Sequence, residues 1–409
     1  MTPCPVVSTP PQPSAEDPIR ALLRASHHLP ATGVGAVVLE HARRLGAREA
    51  VVYLADYAQH VLVPVPGEGV PGRQELTIDG SLAGRAFRRV DPVRSPAHDD
   101  GLTTLWVPLL DGAERVGVLE FVVPGEVSPE LDDDARTFAS LVAEVVVTRD
   151  AYSDFFSRLR RRRTLSLAAE IQWDLLPPLT YASDRVVVTG ALEPAYDIGG
   201  DTFDYAVNGP LVDLMVLDAV GHGLPAALLS AAAVGAYRHA RRDHLDLPDV
   251  AAAVDAVVAG QFTGSQFATA AIARLDLDTG VLRWVNCGHP DPLLVRDGAL
   301  LRPPACRPAR PLGLQTARAD LCQVQLRPGD RVLLHTDGVV EARSPEGEFF
   351  GEQRLADLVV RAELAGDPPP ETMRRLMGSV MEHQAGQLQD DASIVMVEWR
   401  TGREEQLQP

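Results

Sequence analysis

A β-hairpin predicted between two aspartates constrains the fold of this chain more than any other stretch of its sequence. Residues 203–207 and 211–217 are β-prone, and the Asn-Gly-Pro at 208–210 is a strong turn signal. A turn centred between this glycine and this proline makes Asp201 and Asp218 cross-strand neighbours on one face. Their Cβ atoms would then lie about 5 Å apart.

Two carboxylates that close repel each other, and a divalent cation between them would remove the repulsion. Oxygen-only ligands suit Mg²⁺ or Mn²⁺. Both acids are flanked by glycines, which allow a backbone carbonyl or a phosphate to approach closely: Gly199, Gly200, Gly221 and Gly223. From this stretch alone, a hairpin with two solvated acids at its mouth stays open as an alternative.

The composition favours a cytoplasmic protein of two or three domains, given its 409 residues. A formal net charge of −18 argues against nucleic acid or an anionic membrane as the main partner. Four cysteines without a C-x-x-C spacing fit a reducing compartment and predict neither a zinc site nor a disulfide framework. The sequence shows no apolar run of the ~20 residues that a membrane span needs and no signal-peptide pattern.

The N-terminal part is predicted to contain a disordered tail (1–18) and a sensor-type α/β domain (19–127). A helical pattern at 19–40 precedes antiparallel strands, and Ser81 caps a short helix at 81–88. The stretch resembles a GAF domain in Gly-Ser-Leu-Ala-Gly-Arg-Ala-Phe (80–87), Val-Pro-Leu (107–109) and Arg-Val-Gly-Val-Leu (115–119). The sequence does not name the ligand or partner of this domain.

Residues 128–178 are predicted to form a signalling helix between the two domains. Ser128, Pro129 and Glu130 give good helix-start chemistry, and neither Pro nor Gly follows until Pro177. One helix over 130–176 would carry an apolar seam and form a parallel homodimer. Four arginines at 160–163 interrupt the seam and are expected to pair with acids of a partner helix.

The second domain, 179–400, contains β-prone runs that are grouped rather than alternating with helices, which indicates antiparallel sheets covered by helices, an α+β class. Helices are expected at 224–242, 247–263, 354–364 and 371–384. The segment 301–311 has four prolines and is expected to be an irregular surface loop. It carries Arg307 and Arg310, which are candidates for contact with a substrate. Residues 401–409 are a predicted tail.

Two further acidic sites stand at strand ends in this domain. Asp337 ends the buried-looking strand that begins at Arg331, and Asp390 and Asp391 directly precede the last strand. Strand ends are where rigid scaffolds present reactive groups. Four separated acid sites without a His or Cys ligand pattern describe an all-oxygen centre for two metal ions, which generates a hydroxide for in-line attack on phosphorus.

The region 165–399 resembles the SpoIIE-like (RsbU-type) branch of the PPM, or type 2C, metal-dependent serine/threonine protein phosphatases. The matching stretches are Leu-Ala-Ala-Glu-Ile-Gln-Trp-Asp-Leu-Leu-Pro-Pro (167–178), Ile-Gly-Gly-Asp-Thr-Phe-Asp (198–204), Asp-Ala-Val-Gly-His-Gly-Leu-Pro-Ala-Ala (218–227), Phe-Ala-Thr (267–269), Asn-Cys-Gly-His-Pro (286–290), Thr-Asp-Gly-Val-Val-Glu-Ala-Arg (336–343), Gly-Glu-Phe-Phe-Gly (347–351) and Asp-Asp-Ala-Ser (390–393). They occur in the order of the family. The chain has Thr202 where the family usually has an aromatic residue and Cys287 where it usually has alanine.

The resemblance implies an αββα sandwich with two Mn²⁺ or Mg²⁺ ions between its sheets. By motif, Asp218 bridges both ions, the Ala219 carbonyl is a neighbouring ligand, and Asp201 serves one ion. The other ion has Asp337 and Asp390, and Asp391 occupies the position after a ligand. His222 and His289 are candidate general acids that are expected instead to shape their loops.

The resemblance further implies a phosphorylated anti-sigma-factor antagonist as substrate, in a partner-switching pathway, and a switch role for the helix ending at Leu176. Breaking that helix, for example by Ala168→Pro, is then expected to change the catalytic rate. Two other interpretations compete with this one. A diguanylate cyclase would explain Gly-Gly-Asp-Thr-Phe (199–203) but would leave Asp218, Asp337 and Asp390 unexplained. A catalytically silent phosphatase-fold scaffold would signal by protein interaction alone.

Overall fold

The computed structural model describes residues 17–96, 101–194, 196, 199–262, 265–315, 318–386, 389–400 and 407. Of the tail predicted at 1–18, residues 1–16 lie outside the described residues. Of the tail predicted at 401–409, only Leu407 is described. None of the helices in these ranges combines the length and apolarity that a membrane crossing requires.

The helices of the described part are α1 (Pro18–Ser26), α2 (Val34–Arg44), α3 (Leu82–Arg89), α4 (Pro129–Asp150), α5 (Phe155–Arg160), α6 (Leu167–Leu175), α7 (Leu224–Arg242), α8 (Leu247–Gln261), α9 (Asp337–Val340), α10 (Glu352–Leu364) and α11 (Pro369–His383). The strands are β1 (Glu49–Ala55), β2 (Val61–Pro64), β3 (Leu76–Thr77), β4 (Val93–Arg94), β5 (Leu102–Asp111), β6 (Glu114–Pro124), β7 (Thr180–Ala182), β8 (Val186–Glu193), β9 (Thr202–Asn208), β10 (Leu211–Ala219), β11 (Ala268–Asp276), β12 (Val281–Cys287), β13 (Leu293–Arg296), β14 (Ala299–Leu301), β15 (Cys322–Gln325), β16 (Arg331–His335) and β17 (Ala392–Trp399).

The N-terminal domain is built on an antiparallel sheet of order β3-β2-β1-β6-β5-β4. Helices α1, α2 and α4 cover one face, where Phe121 and Phe138 are buried, and α3 covers the other. Ser81 caps α3 as predicted, because its hydroxyl accepts a hydrogen bond from the Gly84 N–H at 2.9 Å. The helical pattern expected at 19–40 is two helices, since Pro30 interrupts it. The arrangement is one antiparallel sheet with helices on both faces, and the sensor role and the GAF assignment both stay predictions.

The prediction of one continuous helix over 130–176 is wrong, because the segment forms three helices, α4, α5 and α6. Apolar residues of α4 pack into the core of the N-terminal domain, and so does Phe156 of α5. Sequence periodicity could not show this outcome, since burial in the domain core competes with continuation of the helix.

The arginine cluster at 160–163 also acts within the chain rather than on a partner helix. Arg160 donates to the Ala55 carbonyl at 2.9 Å, Arg161 pairs with Glu170 and Arg162 pairs with Glu75. The guanidinium of Arg163 lies over the Tyr196 ring. These partners lie on different segments of the chain, and the backbone between α5 and α6 is not helical.

Because the linker is not helical between α5 and α6, a proline at Ala168 has a different effect from the one expected for a continuous helix. Ser166 caps α6 by accepting from the Ala169 N–H at 3.1 Å, so Ala168 lies in the first helical turn. Proline is tolerated there, because the first-turn N–H groups have no intrahelical partner. Ala168→Pro is therefore not the helix-breaking change expected from the sequence.

Gln172 on α6 provides a sharper test of the linker. Its side chain is fully buried, and neither amide atom has a hydrogen-bond partner among the described residues. Because an unpaired buried amide is costly, Gln172→Leu is expected to raise the free energy of unfolding by about 1–2 kcal/mol. Urea unfolding measures it, with the exposed Gln353→Leu on α10 as the control. A destabilised Gln172→Leu protein would show that the amide makes a favourable bond.

The C-terminal domain is a sandwich of two antiparallel sheets, ordered β15-β12-β11-β10-β9 and β14-β13-β16-β17-β8-β7. Their facing sides enclose a core that includes Phe203, Trp284 and Val395. Helices α7 and α8 cover the outer side of the first sheet, and α10 and α11 cover that of the second. This α-β-β-α layering confirms the predicted PPM-type fold.

The two domains meet at a junction with buried ionic contacts. Arg115 on β6 pairs with Glu371 on α11 at 3.3 Å, with both side chains at most 3% exposed. Glu114 accepts a hydrogen bond from the Thr180 N–H at 2.6 Å, and burial raises the pKa of its carboxyl to about 7. A cavity of about 320 Å³ adjoins these residues and is lined from both domains. The N-terminal domain is thus docked directly on the sandwich as well as joined to it by the linker.

One prediction about cysteine is wrong. Cys306 and Cys322 form a disulfide with Cα atoms 5.7 Å apart, which closes the loop between them. The sequence shows only a separation of 16 residues, and the folding-back of the irregular loop at 301–311 brings the two together. Cys287 is free and buried, and burial raises the pKa of its thiol to about 12.

Candidate metal centre

The β9–β10 hairpin has the register expected from its sequence. Leu211 pairs with Asn208 and Leu217 with Thr202, so the turn is centred between Gly209 and Pro210. One position further along each strand, Asp201 lies opposite Asp218, and their carboxyl groups share a hydrogen bond. Asp201 is buried between the sheets, while Asp218 is partly exposed.

The second sheet brings its acids to the same edge of the sandwich. Strands β16 and β17 are antiparallel neighbours, so the residue after β16, Thr336, lies beside Ser393 near the start of β17. The Thr336 hydroxyl donates to Asp201 Oδ2 at 2.6 Å and so joins the two sheets. Asp337 and Asp390 line one cavity of about 180 Å³ at this edge, and both are exposed.

Asp391 has a different role from Asp390. Its Oδ2 accepts hydrogen bonds from the backbone N–H groups of Gly199 at 2.6 Å and Gly200 at 2.8 Å. A Cβ atom on Gly199 would lie 2.5 Å from that oxygen, and one on Gly200 would clash with the Ala219 carbonyl oxygen. Glycine is therefore required at both positions. Asp391 holds the turn that carries Asp201, which leaves Asp390 facing the cavity.

Burial and mutual repulsion raise the pKa values of these carboxyl groups. The pKa of Asp201 is well above its usual range because of burial, then of the charges on Asp218 and Asp391. Burial, followed by the charges of Asp337 and Asp390, raises the pKa of Asp218 to about 7. Such a cluster is unfavourable without a compensating cation.

The donor set fits a hard divalent cation. It consists of carboxylates on both sheets and the Ala219 carbonyl, which Gly200 allows to approach, and oxygen ligands suit Mg²⁺ and Mn²⁺. Within the described ranges, no three His, Cys, Asp or Glu side chains already converge as a closed ion cage. Closure around a cation would therefore need the ligand side chains to move, as expected for carboxylates that repel one another.

The two candidate histidines differ in surroundings. His289 is buried, its Nδ1 is 2.7 Å from the Thr269 hydroxyl, and burial lowers its pKa to about 3. Its backbone N–H donates to Asn286 Oδ1, so His289 shapes the turn after β12 and stays neutral. His222 is exposed on the loop between β10 and α7. It lies four residues after Asp218, and its contact with a substrate stays a prediction.

Arg307 and Arg310 lie on the loop that the disulfide closes, and both are exposed. Neither lines the cavity of Asp337 and Asp390 within the described part of the chain. Sequence reasoning instead missed Thr336, whose hydroxyl orients Asp201. The only available signal was its position directly before Asp337 at a strand end.

Parts of this chain are similar to known proteins. Residues 209–400 match the family described as Stage II sporulation protein E (SpoIIE). Protein IcfG from Synechocystis sp. is 30% identical over 32% of this chain and 21% of its own length. Phosphoserine phosphatase RsbU from Bacillus subtilis is 22% identical over 66% of this chain and 82% of its own length. A crystal structure of RsbU and RsbW domains from Mycobacterium tuberculosis is 26% identical, covering 55% of this chain and 62% of that one, with a TM-score of 0.46. The chain therefore spans only about a fifth of IcfG but most of RsbU.

Proposed function

We propose that this chain, whose residues 209–400 match the SpoIIE family, is a metal-dependent phosphatase acting on phosphoserine or phosphothreonine in proteins. The observation that carries the proposal is the meeting of Asp201 and Asp218 from one sheet with Asp337 and Asp390 from the other at one open edge. The relative RsbU is a phosphoserine phosphatase, which supports the same chemistry.

In this proposal the centre holds two Mn²⁺ or Mg²⁺ ions. Asp218 would bridge them, Asp201 and the Ala219 carbonyl would hold one, and Asp337 and Asp390 would hold the other. Bound ions of this kind supply a hydroxide nucleophile and stabilise charge on the phosphoryl oxygens.

The chain itself supplies the orientation of these ligands. Thr336 fixes one oxygen of Asp201, and Asp391 fixes the backbone that carries it. Because Asp337 and Asp390 are exposed, a phosphorylated residue on the surface of another protein could reach the site without a deep channel.

The substrate class we propose is a phosphorylated anti-sigma-factor antagonist, by similarity to RsbU. The sensor would regulate the reaction through the linker and the docked junction. Contact between α6 and α7 supports this route, because Arg238 of α7 donates to the carbonyl of Leu175 at 2.6 Å. Homodimerisation remains part of the proposal, now through exposed residues near the end of α4, Val147 and Tyr152, and sedimentation velocity would measure it.

The proposal is tested by hydrolysis of p-nitrophenyl phosphate by the full-length protein, after chelation and after addition of Mn²⁺. Activity is expected only with Mn²⁺, and Asp337→Ala should lower it at least about a hundredfold, because that substitution removes a metal ligand. The control is Asp357→Ala on the exposed face of α10. Equal Mn²⁺-dependent activity in the Asp337→Ala protein and the wild type would contradict the assignment of Asp337.

A further inference from the structure

The cavity that contains Asp337 and Asp390 has one cationic side chain in its lining. It is enclosed by the segment 337–343 on one side and by Gln384, Gln389 and Asp390 on the other. Arg343 is the only arginine or histidine among its described lining residues. The chain contains no lysine, so a side-chain cation that recognises phosphate must be arginine or protonated histidine.

Arg343 is oriented by stacking, and its guanidinium makes no hydrogen bond to another described residue. Its guanidinium lies 4.2 Å from the centre of the Phe349 ring, and its backbone forms a β-bridge with Phe349. The Gly347 N–H donates to the Ser344 carbonyl, which closes the turn between them. Stacking occupies the face of a guanidinium and leaves its N–H edge available.

No carboxylate among the described residues forms an ion pair with Arg343. This is notable in a chain of net charge −18, where many other arginines pair with aspartate or glutamate, for example Arg331 and Arg374. The cavity lining also contains three carboxylates, those of Asp337, Glu341 and Asp390, and none of them forms an ion pair with Arg343. Its guanidinium is therefore available for an anion.

A second polar group in the cavity also lacks a partner. Gln384 is 5% exposed, and its side-chain oxygen has no hydrogen-bond partner among the described residues. The oxygen and nitrogen of a glutamine amide can exchange positions by rotation, so this group can present either a donor or an acceptor to a ligand.

We propose that Arg343 binds the phosphoryl oxygens of the substrate, with Phe349 orienting its guanidinium; this rests on the function proposed above. Arginine matches a phosphate with two parallel N–H···O bonds, and the metal-ligating acids alone would repel the dianion. Arg343 would thus determine affinity for the phosphoryl group, while the carboxylates and ions determine the chemical step.

The test is calorimetric titration of the full-length protein with inorganic phosphate, in buffer containing Mg²⁺ and in buffer containing EDTA. Arg343→Gln is expected to weaken phosphate binding about tenfold in each buffer, because a charge-assisted pair of hydrogen bonds is lost. Arg343→Lys keeps the charge but not the planar fork, and should bind with intermediate affinity. The matched control is Arg354→Gln, since Arg354 also stacks on a phenylalanine, Phe350, but does not line the cavity.

Unchanged thermal stability of Arg343→Gln is expected, because the side chain is exposed. The proposal is overturned if Arg343→Gln and Arg354→Gln bind phosphate equally well, or if the wild type binds none in either buffer. A wild type that binds phosphate through Arg343 but hydrolyses no phosphoester would contradict the proposed function and still support this role of Arg343.

Discussion

Asp218→Asn is expected to reduce Mn²⁺-dependent phosphate hydrolysis at least about a thousandfold. Asp218 lies between Asp201 of its own sheet and the acids of the facing sheet, so in our account it is the ligand common to both ions. An amide keeps the shape of the side chain but loses the negative charge that binds two cations. The rate with p-nitrophenyl phosphate at saturating Mn²⁺ measures the effect.

The same substitution is expected to stabilise the metal-free protein above pH 7. The folded protein raises the pKa of Asp218 from 3.8 to about 7, so the stability linked to its protonation is present at low pH and is lost as the pH rises through 7. Asparagine cannot ionise, so the substitution should raise the free energy of unfolding of the metal-free protein by about 1–3 kcal/mol at pH 8. Thermal unfolding in EDTA across this pH range measures it.

Asp213→Asn is the matched control on the same strand. Asp213 is buried and pairs with Arg274 at 2.6 Å, away from the acid centre. This control should lower stability and leave the Mn²⁺-dependent rate of the folded protein within about twofold. If Asp218→Asn retained wild-type activity, or destabilised the metal-free protein at pH 8, the account of the centre would be wrong.

Glu371→Gln is expected to destabilise the docking of the two domains by about 3 kcal/mol. Glu371 is 2% exposed and lies between Arg115 of the N-terminal domain at 3.3 Å and Arg374 of α11 at 2.9 Å. Arg374 also pairs with Asp79 at 2.6 Å, so removing the Glu371 carboxylate leaves Arg115 as the buried guanidinium without its ion-pair partner. Urea unfolding and the rate of proteolytic cleavage between the domains report the loss.

Two further variants separate this pair from a general effect of charge removal. Glu382→Gln lies on the same helix and is exposed, so its effect should stay within about 0.5 kcal/mol. Adding Arg115→Met to Glu371→Gln removes the cation that lost its partner, so the double variant should be more stable than the sum of the single losses predicts. Strict additivity would show that the pair does not hold the junction.

Local patterns explain why the acid centre could be predicted from the sequence. The register of the β9–β10 hairpin follows from a turn at Gly209 and Pro210, and this places Asp201 opposite Asp218 without information from elsewhere in the chain. The grouping of strands gave the two-sheet class. Asp337 follows one buried strand and Asp390 precedes another, and these positions indicated that the two acids meet at one edge.

The wrong predictions concern contacts between segments far apart in sequence. The absence of Pro and Gly over 130–176 showed only that no residue forbids a helix. In the structure, Phe156 packs into the core of the N-terminal domain and Arg160 donates a hydrogen bond to its backbone. The disulfide depends on the path of a proline-rich loop that has no periodicity. The Arg115–Glu371 pair joins residues 256 positions apart, and neither has a local sequence signal.

The most direct test of the central claim is phosphate release from a serine-phosphorylated peptide by the full-length wild type, first stripped of metal and then supplied with Mn²⁺. We expect no release in the stripped protein and multiple turnovers once Mn²⁺ is present. Release that persists in chelator, or no release at any Mn²⁺ concentration from a folded protein, would contradict a metal-dependent phosphatase.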